Sequence, residues 1–394
     1  MLPEIASPED LEQLGFKKVE EGELKEGLKL ILRAAKKYED ERKLEDAARL
    51  YFYLGYFFLD RLKKPETARK PLLKSASLYI KLIDQELGGF EIDVRRLNDF
   101  CSRALSVFAS LGDEANLKKY AKYFAEMYED LAKGYEESGE LEKAIMAYED
   151  AFRYYKILND GESVKRIADA IVTTFGKITE EKVASDDSAG AGDAFYKLSF
   201  YVLELFGYGT HFTEMMETAA RNYERASKLS YSEGDLDGTT SYLLKAQYAY
   251  LLAGNSKRAK LIGLNNVRIL YQVVGTHQKM NDIAGVSRKL LELAMSLFAV
   301  GKARDSFKVY REALNISENL EKRAVMRAAV LKVHAAEGRS AAVLSLVGDM
   351  EYYIERGNPA RAVELAEAYL SRVPELEETV RLLHEAEGIT PSSY

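Results

Sequence analysis

The sequence predicts an all-α fold, an irregular α-solenoid of antiparallel helix pairs with about sixteen helices. Three observations predict it. Apolar residues recur at i, i+3, i+4 and i+7 through segments of roughly 18–20 residues. A glycine with polar neighbours closes one segment after another, at Gly112, Gly139, Gly234, Gly254, Gly301, Gly338 and Gly357. Only seven prolines occur in 394 residues, and very few fall inside the periodic segments. An interior proline costs a helix about 3 kcal/mol, so the chain suits long helices.

Taken in order, the start MLPEIASPEDLEQLGF is acidic and lacks a basic region followed by an apolar run, so no secretory signal is expected. RAAKKYEDERKLEDAARLYFYL lacks a turn glycine but places Ala35 and Tyr38 on one helix and Ala47 and Tyr51 on the next. The most apolar stretch, LYFYLGYFFL at Leu50–Leu59, falls short of the ~20 residues a membrane helix needs. It is expected as a helix buried on most sides, with an exposed aromatic patch as the alternative. LGGF at Leu87–Phe90 reads as a turn. VASDDSAGAGD at Val183–Asp193 is small, polar and glycine-rich, and reads as an exposed loop. It divides the chain into an N-terminal half (1–183), a linker (184–193) and a C-terminal half (194–394).

The clearest pair spans residues 128–155. Tyr128, Leu131, Ala132 and Tyr135 precede Gly139, and Ala144, Tyr148 and Ala151 follow it. Small residues let two helices approach, large ones fill the grooves, and a glycine suits the left-handed residue that ends the first helix. Ser287–Asn315 repeats the offsets through Leu290, Leu293, Ala294, Leu297, Gly301, Ser306, Tyr310 and Ala313. Around Gly357 the pattern keeps Tyr353, Ala362 and Ala366 and ends at Pro374.

These offsets resemble the tetratricopeptide repeat, a helix–turn–helix of 34 residues. Lys156 stands where that family places a terminal proline. The resemblance implies a groove that holds a partner protein. Carried onto this chain, its groove positions are Glu126, Glu129, Lys133, Glu136 and Glu137, and then Arg288, Leu291, Met295, Phe298 and Ala299. One wall is acidic and the other largely apolar. Clustered like charges repel, so a basic or amphipathic partner segment is expected at the glutamates. EKAIMAYEDAFRYYK, with KPLLKSASLYIKLID before it, is similar to the soluble attachment proteins (SNAP-like) of membrane fusion. That likeness implies an all-helical adaptor. The family's acidic, leucine-containing tail has no counterpart in EGITPSSY, so it speaks for architecture alone.

Composition narrows the function classes. A net charge of −7 argues against a general nucleic-acid coat. Cys101 is the single cysteine, so no intramolecular disulfide can form, and a reducing, cytoplasmic setting is expected. Scarce glutamine with abundant Glu, Lys and Arg resembles a thermophile's composition. His211, His277, His334 and His384 are isolated in sequence, without metal-ligand spacing. DSAGAGDAF at Asp187–Phe195 resembles the glycine-rich signature of ribokinase-type sugar kinases, which would make Asp193 a catalytic base beside an anion hole at 190–193. Ser188 replaces that family's threonine, and the surrounding periodicity is helical where the family needs a sheet. The segment reads instead as a linker with Asp193 capping the next helix. The expected function is a non-enzymatic scaffold that binds another protein, without a cofactor and without a membrane span. A phosphotransferase using the GAGD loop and a regulatory solenoid in transcription are the alternatives, and a homo-oligomer is left open.

Overall fold

The computed structural model describes residues 7–89 and 92–388. The first six residues of the N-terminal signal reading, Phe90 of the LGGF turn, and the final six residues of the C-terminal tail lie outside them. Among the described residues there are eighteen α-helices and no strand, slightly more than the sixteen expected. The chain divides into two compact units, Met1–Ile167 and Ala168–Tyr394. In unit 1 the helices are α1 (Pro8–Glu20), α2 (Leu24–Asp40), α3 (Leu44–Tyr56), α4 (Pro65–Leu87), α5 (Val94–Ser110), α6 (Glu114–Glu137) and α7 (Leu141–Ile157). The division falls inside α8 (Gly161–Ala184). Unit 2 continues with α9 (Ser188–Phe206), α10 (Thr210–Ser232), α11 (Leu236–Leu252), α12 (Ser256–Lys279), α13 (Ile283–Ala299) and α14 (Ala303–Ile316). It ends with α15 (Leu320–Gly338), α16 (Ala341–Glu355), α17 (Pro359–Leu370) and α18 (Glu377–Ala386).

One backbone closure joins most of these helices. At the end of α6, Gly139 takes φ 78°, a left-handed conformation that costs a side-chain-bearing residue free energy. Its amide donates to the Glu136 carbonyl at 3.1 Å, and the next amide, of Glu140, donates to the Tyr135 carbonyl at 2.8 Å. Orphan carbonyls of the last turn are satisfied and the chain reverses within three residues. The second bond recurs at 2.8–3.2 Å from Lys43, Asp113, Asp160, Asp187, Asp235, Asn255, Asp282, Lys302 and Asn358. All seven acidic or amide residues among them, Asp113, Asp160, Asp187, Asp235, Asn255, Asp282 and Asn358, also accept the amide three residues on and so cap the following helix. Stop and start are therefore written in two adjacent residues. Arg42, Asn159, Asp186 and Asn281 occupy the left-handed position in place of glycine. Gly338 departs from expectation: it is the last residue of α15, and Arg339 takes the left-handed conformation, φ 48°.

In unit 1 each helix from α1 to α7 packs on the next, with α5 and α6 the loosest pair. The repeat positions behave as their sizes require. Ala132, Ala144 and Ala151 are wholly buried, Tyr128 fills the space between them, and its ring lies 5.8 Å from that of Tyr154. Within LYFYLGYFFL, Leu50, Tyr51 and Leu54 are buried, while Phe57, Phe58 and Leu59 are half-buried in a π-helical extension of α3. The deeply buried Cys101 thiol is pushed well up by loss of hydration.

In unit 2 the ordered succession runs from α9 to α14 and then breaks. Ser317 is extended, no left-handed turn follows α14, and α15 packs across α11 and α13. The buried Lys322 amine holds that crossing by donating to the Ser287 hydroxyl and the Ser317 carbonyl. Next, α16 returns to α9. The Tyr196 hydroxyl donates to Glu351 at 3.1 Å, Lys197 pairs with Glu355 at 2.8 Å, and the Ser345 hydroxyl donates to Glu204 at 2.5 Å. Lys332 pairs with Glu351 and lies 5.5 Å from the ring centres of both Tyr196 and Tyr248. A buried guanidinium, Arg327, secures the C-terminal helices through Glu387 and Glu367, and the Tyr310 hydroxyl donates to Glu387 at 2.9 Å.

The expected loop at 183–193 is corrected. Helix α8 continues to Ala184 and α9 begins at Ser188, so residues 188–193 are helical. The physical reason is twofold. Asp187, not Asp193, caps α9 by accepting the Gly190 amide at 2.8 Å. Gly192 then lets α9 lie directly on α10, because a β-carbon there would stand 2.7 Å from the Tyr223 ring. The small residues that read as a loop are a packing surface. Gly192→Val should therefore destabilise the chain by about 1–3 kcal/mol through overpacking. Gly134→Ala, on an open stretch of α6, should stabilise it by about 0.5–1 kcal/mol through helix propensity. Urea midpoints from far-UV circular dichroism check both signs.

Candidate interaction surfaces

The five acidic-wall residues lie on α6 but do not share one open face. Glu129 is buried, with 7% of its surface exposed. It accepts from the Tyr155 hydroxyl at 3.0 Å, pairs with Lys133 at 2.9 Å, and receives the Arg166 guanidinium. Burial pushes its carboxyl up, but the bonds from Arg166, Lys133 and Tyr155 outweigh this and hold it below the ordinary glutamate value. Glu136 is half-buried and accepts from the Tyr148 hydroxyl at 3.0 Å. Glu126, Lys133 and Glu137 are exposed, and Lys133 lies 3.8 Å from Asp130. The expected unrelieved repulsion is thus corrected: helices α7 and α8 bring the hydroxyls and the guanidinium that engage Glu129 and Glu136.

A cleft does open on α6, one face round from that set. Tyr123, Glu126, Met127, Asp130 and Leu131 line it together with Leu87 from the end of α4, and its volume is about 500 Å³. The spacing of three and four residues puts these α6 positions on one stripe. Among the described residues, α5 and α6 are the most loosely packed consecutive pair of unit 1. Met127, Leu131 and Leu87 make its apolar part. The Tyr123 hydroxyl donates to Asp84 at 3.4 Å. Side-chain exposure of 57% at Glu126 and 82% at Asp130 keeps both carboxylates in solvent, with Lys122 and Lys133 3.8 Å away. Glu126 alone was named from the sequence. Tyr123, Met127 and Asp130 were missed, although their spacing on a long amphipathic helix was readable.

The second expected wall, on α13, is a packing surface. Phe298 is buried with its ring 5.6 Å from that of Phe307. Leu291, Met295 and Ala299 are partly buried against the core, and the Met295 carbonyl accepts from the Tyr248 hydroxyl at 3.0 Å. Arg288 is exposed, 4.0 Å from Asp237. Helix α15 also packs on α13.

Asp193 is engaged by two side chains. Its carboxylate accepts from the Tyr223 hydroxyl at 2.7 Å and pairs with Lys245 at 2.6 Å, and that lysine lies 5.3 Å from the Tyr223 ring centre. Gly190 and Gly192 lie within α9, so no glycine-rich turn presents its amides to a phosphoryl group. His277, isolated in sequence, is buried between Asp237 at 3.1 Å and Asp282 at 2.8 Å, and ties α11, α12 and the cap of α13 together. A second cleft, about 480 Å³, lies where α10 meets the start of α12; Arg221, Arg225, Lys228, Tyr250 and Arg258 line it with Glu217 and Glu224.

No family model matches the chain, and no curated protein matches it. Among solved structures it is similar to a circular tandem repeat protein with novel repeat topology and enhanced subunit contact surfaces. That likeness has 15% identity, covers 97% of this chain and 96% of the other, and gives a TM-score of 0.29. It is also similar to yeast Tom70, at 13% identity over 97% of this chain and 95% of that one, with a TM-score of 0.15. Scores this low leave the fold to be argued from the chain's own helices. Among the described residues, no helix is long and apolar enough to cross a membrane.

The Glu129 network carries a pH dependence of known sign. A carboxyl held below its ordinary value stabilises the fold at neutral pH, and that contribution disappears as pH falls through the lowered value. Glu129→Gln should cost about 1–3 kcal/mol at pH 7. The gap from the parent should close once acid protonates Glu129 in both states. Urea titrations at a series of pH values measure it, and a gap constant with pH would contradict the assignment.

Proposed function

We propose that the chain is a non-enzymatic protein-interaction scaffold whose unit 1 cleft receives a basic, amphipathic segment of a partner protein. The α6 cleft carries this reading: apolar Leu87, Met127 and Leu131 lie beside the exposed carboxylates of Glu126 and Asp130. An amphipathic helix laid in such a cleft buries its apolar side and sets its cations against the rim. Tyr123 is the anchor of the site, because a half-exposed aromatic offers a large contact area with a polar end. Glu137 and Lys133, exposed further along α6, extend the rim. The proposal includes a cytoplasmic setting and the adaptor character that the SNAP-like resemblance implies. Against the phosphotransferase alternative stands the lack of any strand among the described residues, since that reading needs a central sheet.

A fluorescent synthetic helix of leucine and lysine tests the reading, with binding to the full chain followed by anisotropy. Glu126→Lys with Asp130→Lys should weaken binding at least tenfold, and Tyr123→Ala should weaken it several-fold. Added salt should weaken it too, since exposed charges are screened within ~8 Å at physiological ionic strength. Affinity indifferent to all three changes would exclude this cleft as the site.

A further inference from the structure

Helix α12 differs from its neighbours in charge. It carries Lys257, Arg258, Lys260, Arg268 and Lys279 and no acidic residue, in a chain whose net charge is −7. It packs chiefly on α11 and α13. Its inward side holds Ile262, Asn266, Leu270 and Val273, all buried. The opposite side presents Leu261, Leu264 and Tyr271, which are 60%, 45% and 57% exposed. These positions follow one rule. Leu261, Leu264, Arg268, Tyr271 and Gly275 are separated by three, four, three and four residues, which forms a straight stripe along the helix. Lys257 and Lys260 stand exposed at its start and Lys279 at its end. Single exposed apolar residues are ordinary on a surface, but three in register on a helix without acids make a patterned face. Arg258 fixes the near end by gripping the Glu224 carboxylate of α10 at 2.6 and 3.1 Å, beside the basic cleft of Arg221, Arg225 and Lys228.

We propose that this outward face of α12 docks an acidic, amphipathic helix of a partner protein. The inference deepens the scaffold reading and rests on it: unit 2 offers a basic surface, as unit 1 offers an acidic one. The alternating three–four spacing matches a helix lying nearly parallel to α12, where ridges of one enter grooves of the other. Carboxylates flanking the partner's apolar stripe then meet Lys257, Lys260, Arg268 and Lys279. A second copy of this chain is the poorer occupant, because α12 against α12 opposes like charges. A membrane surface is poorer as well. The stripe is one residue wide and broken by Arg268, whereas an interfacial helix needs a broad apolar face.

The test uses the full chain and a labelled synthetic helix with leucines at three–four spacing flanked by glutamates. Leu264→Asp with Tyr271→Asp replaces exposed side chains, so the fold should stand, as far-UV circular dichroism checks. Binding of the acidic helix should fall at least tenfold in this variant and at least tenfold when Lys257, Lys260 and Arg268 are all changed to Glu. Glu126→Lys with Asp130→Lys, in the other unit, should not weaken it. Unchanged affinity in both α12 variants overturns the proposal. So does preferential binding of phosphatidylglycerol vesicles that the α12 variants abolish, which would assign the face to a membrane. A dimer in analytical ultracentrifugation that Leu264→Asp dissolves would assign it to a second copy. If the acidic helix fails while the lysine helix still binds through Glu126 and Asp130, only this inference falls. If neither helix binds, the scaffold reading falls with it.

Discussion

The backbone hydrogen bond that closes most of the helix hairpins, running from the amide of the residue after a left-handed position back to a carbonyl in the preceding turn, is the constraint on which the packing depends. It reverses the chain in three residues, so successive helices have no room to do anything but lie antiparallel. Where Asp or Asn follows the left-handed residue, the same short segment also starts the next helix. Long helices thereby follow one another with almost no loop, and their alanine and tyrosine faces meet without a search over alternative connections. This closure is also missing between α9 and α10 and between α17 and α18, and at the extended link after α14 the order of packing changes as well.

That change alters which faces are buried. Once α15 and α16 fold back over α9, α11 and α13, the inner faces of unit 2 are occupied by the chain itself. Lys332, Glu351, Tyr196 and Tyr248 form a compact polar and aromatic contact there, and Leu291, Met295 and Phe298 turn from a ligand wall into core. In unit 1, among the described residues, a cleft opens between the end of α4 and one stripe of α6.

Charge follows the same division between inward and outward roles. Glu129, Glu136, Asp193 and Glu387 all accept hydrogen bonds from tyrosine hydroxyls, and Glu129, Asp193 and Glu387 also meet a cation. The buried carboxylates of Glu129 and Glu387 need such partners, since removal of either side leaves a polar group stranded. Glu126 and Asp130 remain in solvent, with lysines only at the limit of ion-pair distance. A glutamate on α6 is therefore structural or available according to which side of the helix it leaves, and neighbours one turn apart differ in role.

The sequence by itself determined the helices, their hairpin turns and the small–large alternation of the core, because each depends on residues within a few positions of one another. Gly139, Gly234 and Gly301 were legible as turns for that reason. The glycines at 190 and 192 misled for the same reason: local composition reads as a loop, and only Tyr223, brought by α10, makes the absence of a side chain at 192 a packing requirement. Likewise nothing near Glu129 in sequence announces Arg166 or Tyr155, and nothing near Met295 announces the Tyr248 hydroxyl that its carbonyl accepts. Which face of a helix is covered depends on contacts between residues far apart in the chain. Tertiary structure alone decided that Glu129 and Phe298 are internal, and that Glu126, Asp130 and the stripe of α12 face outward.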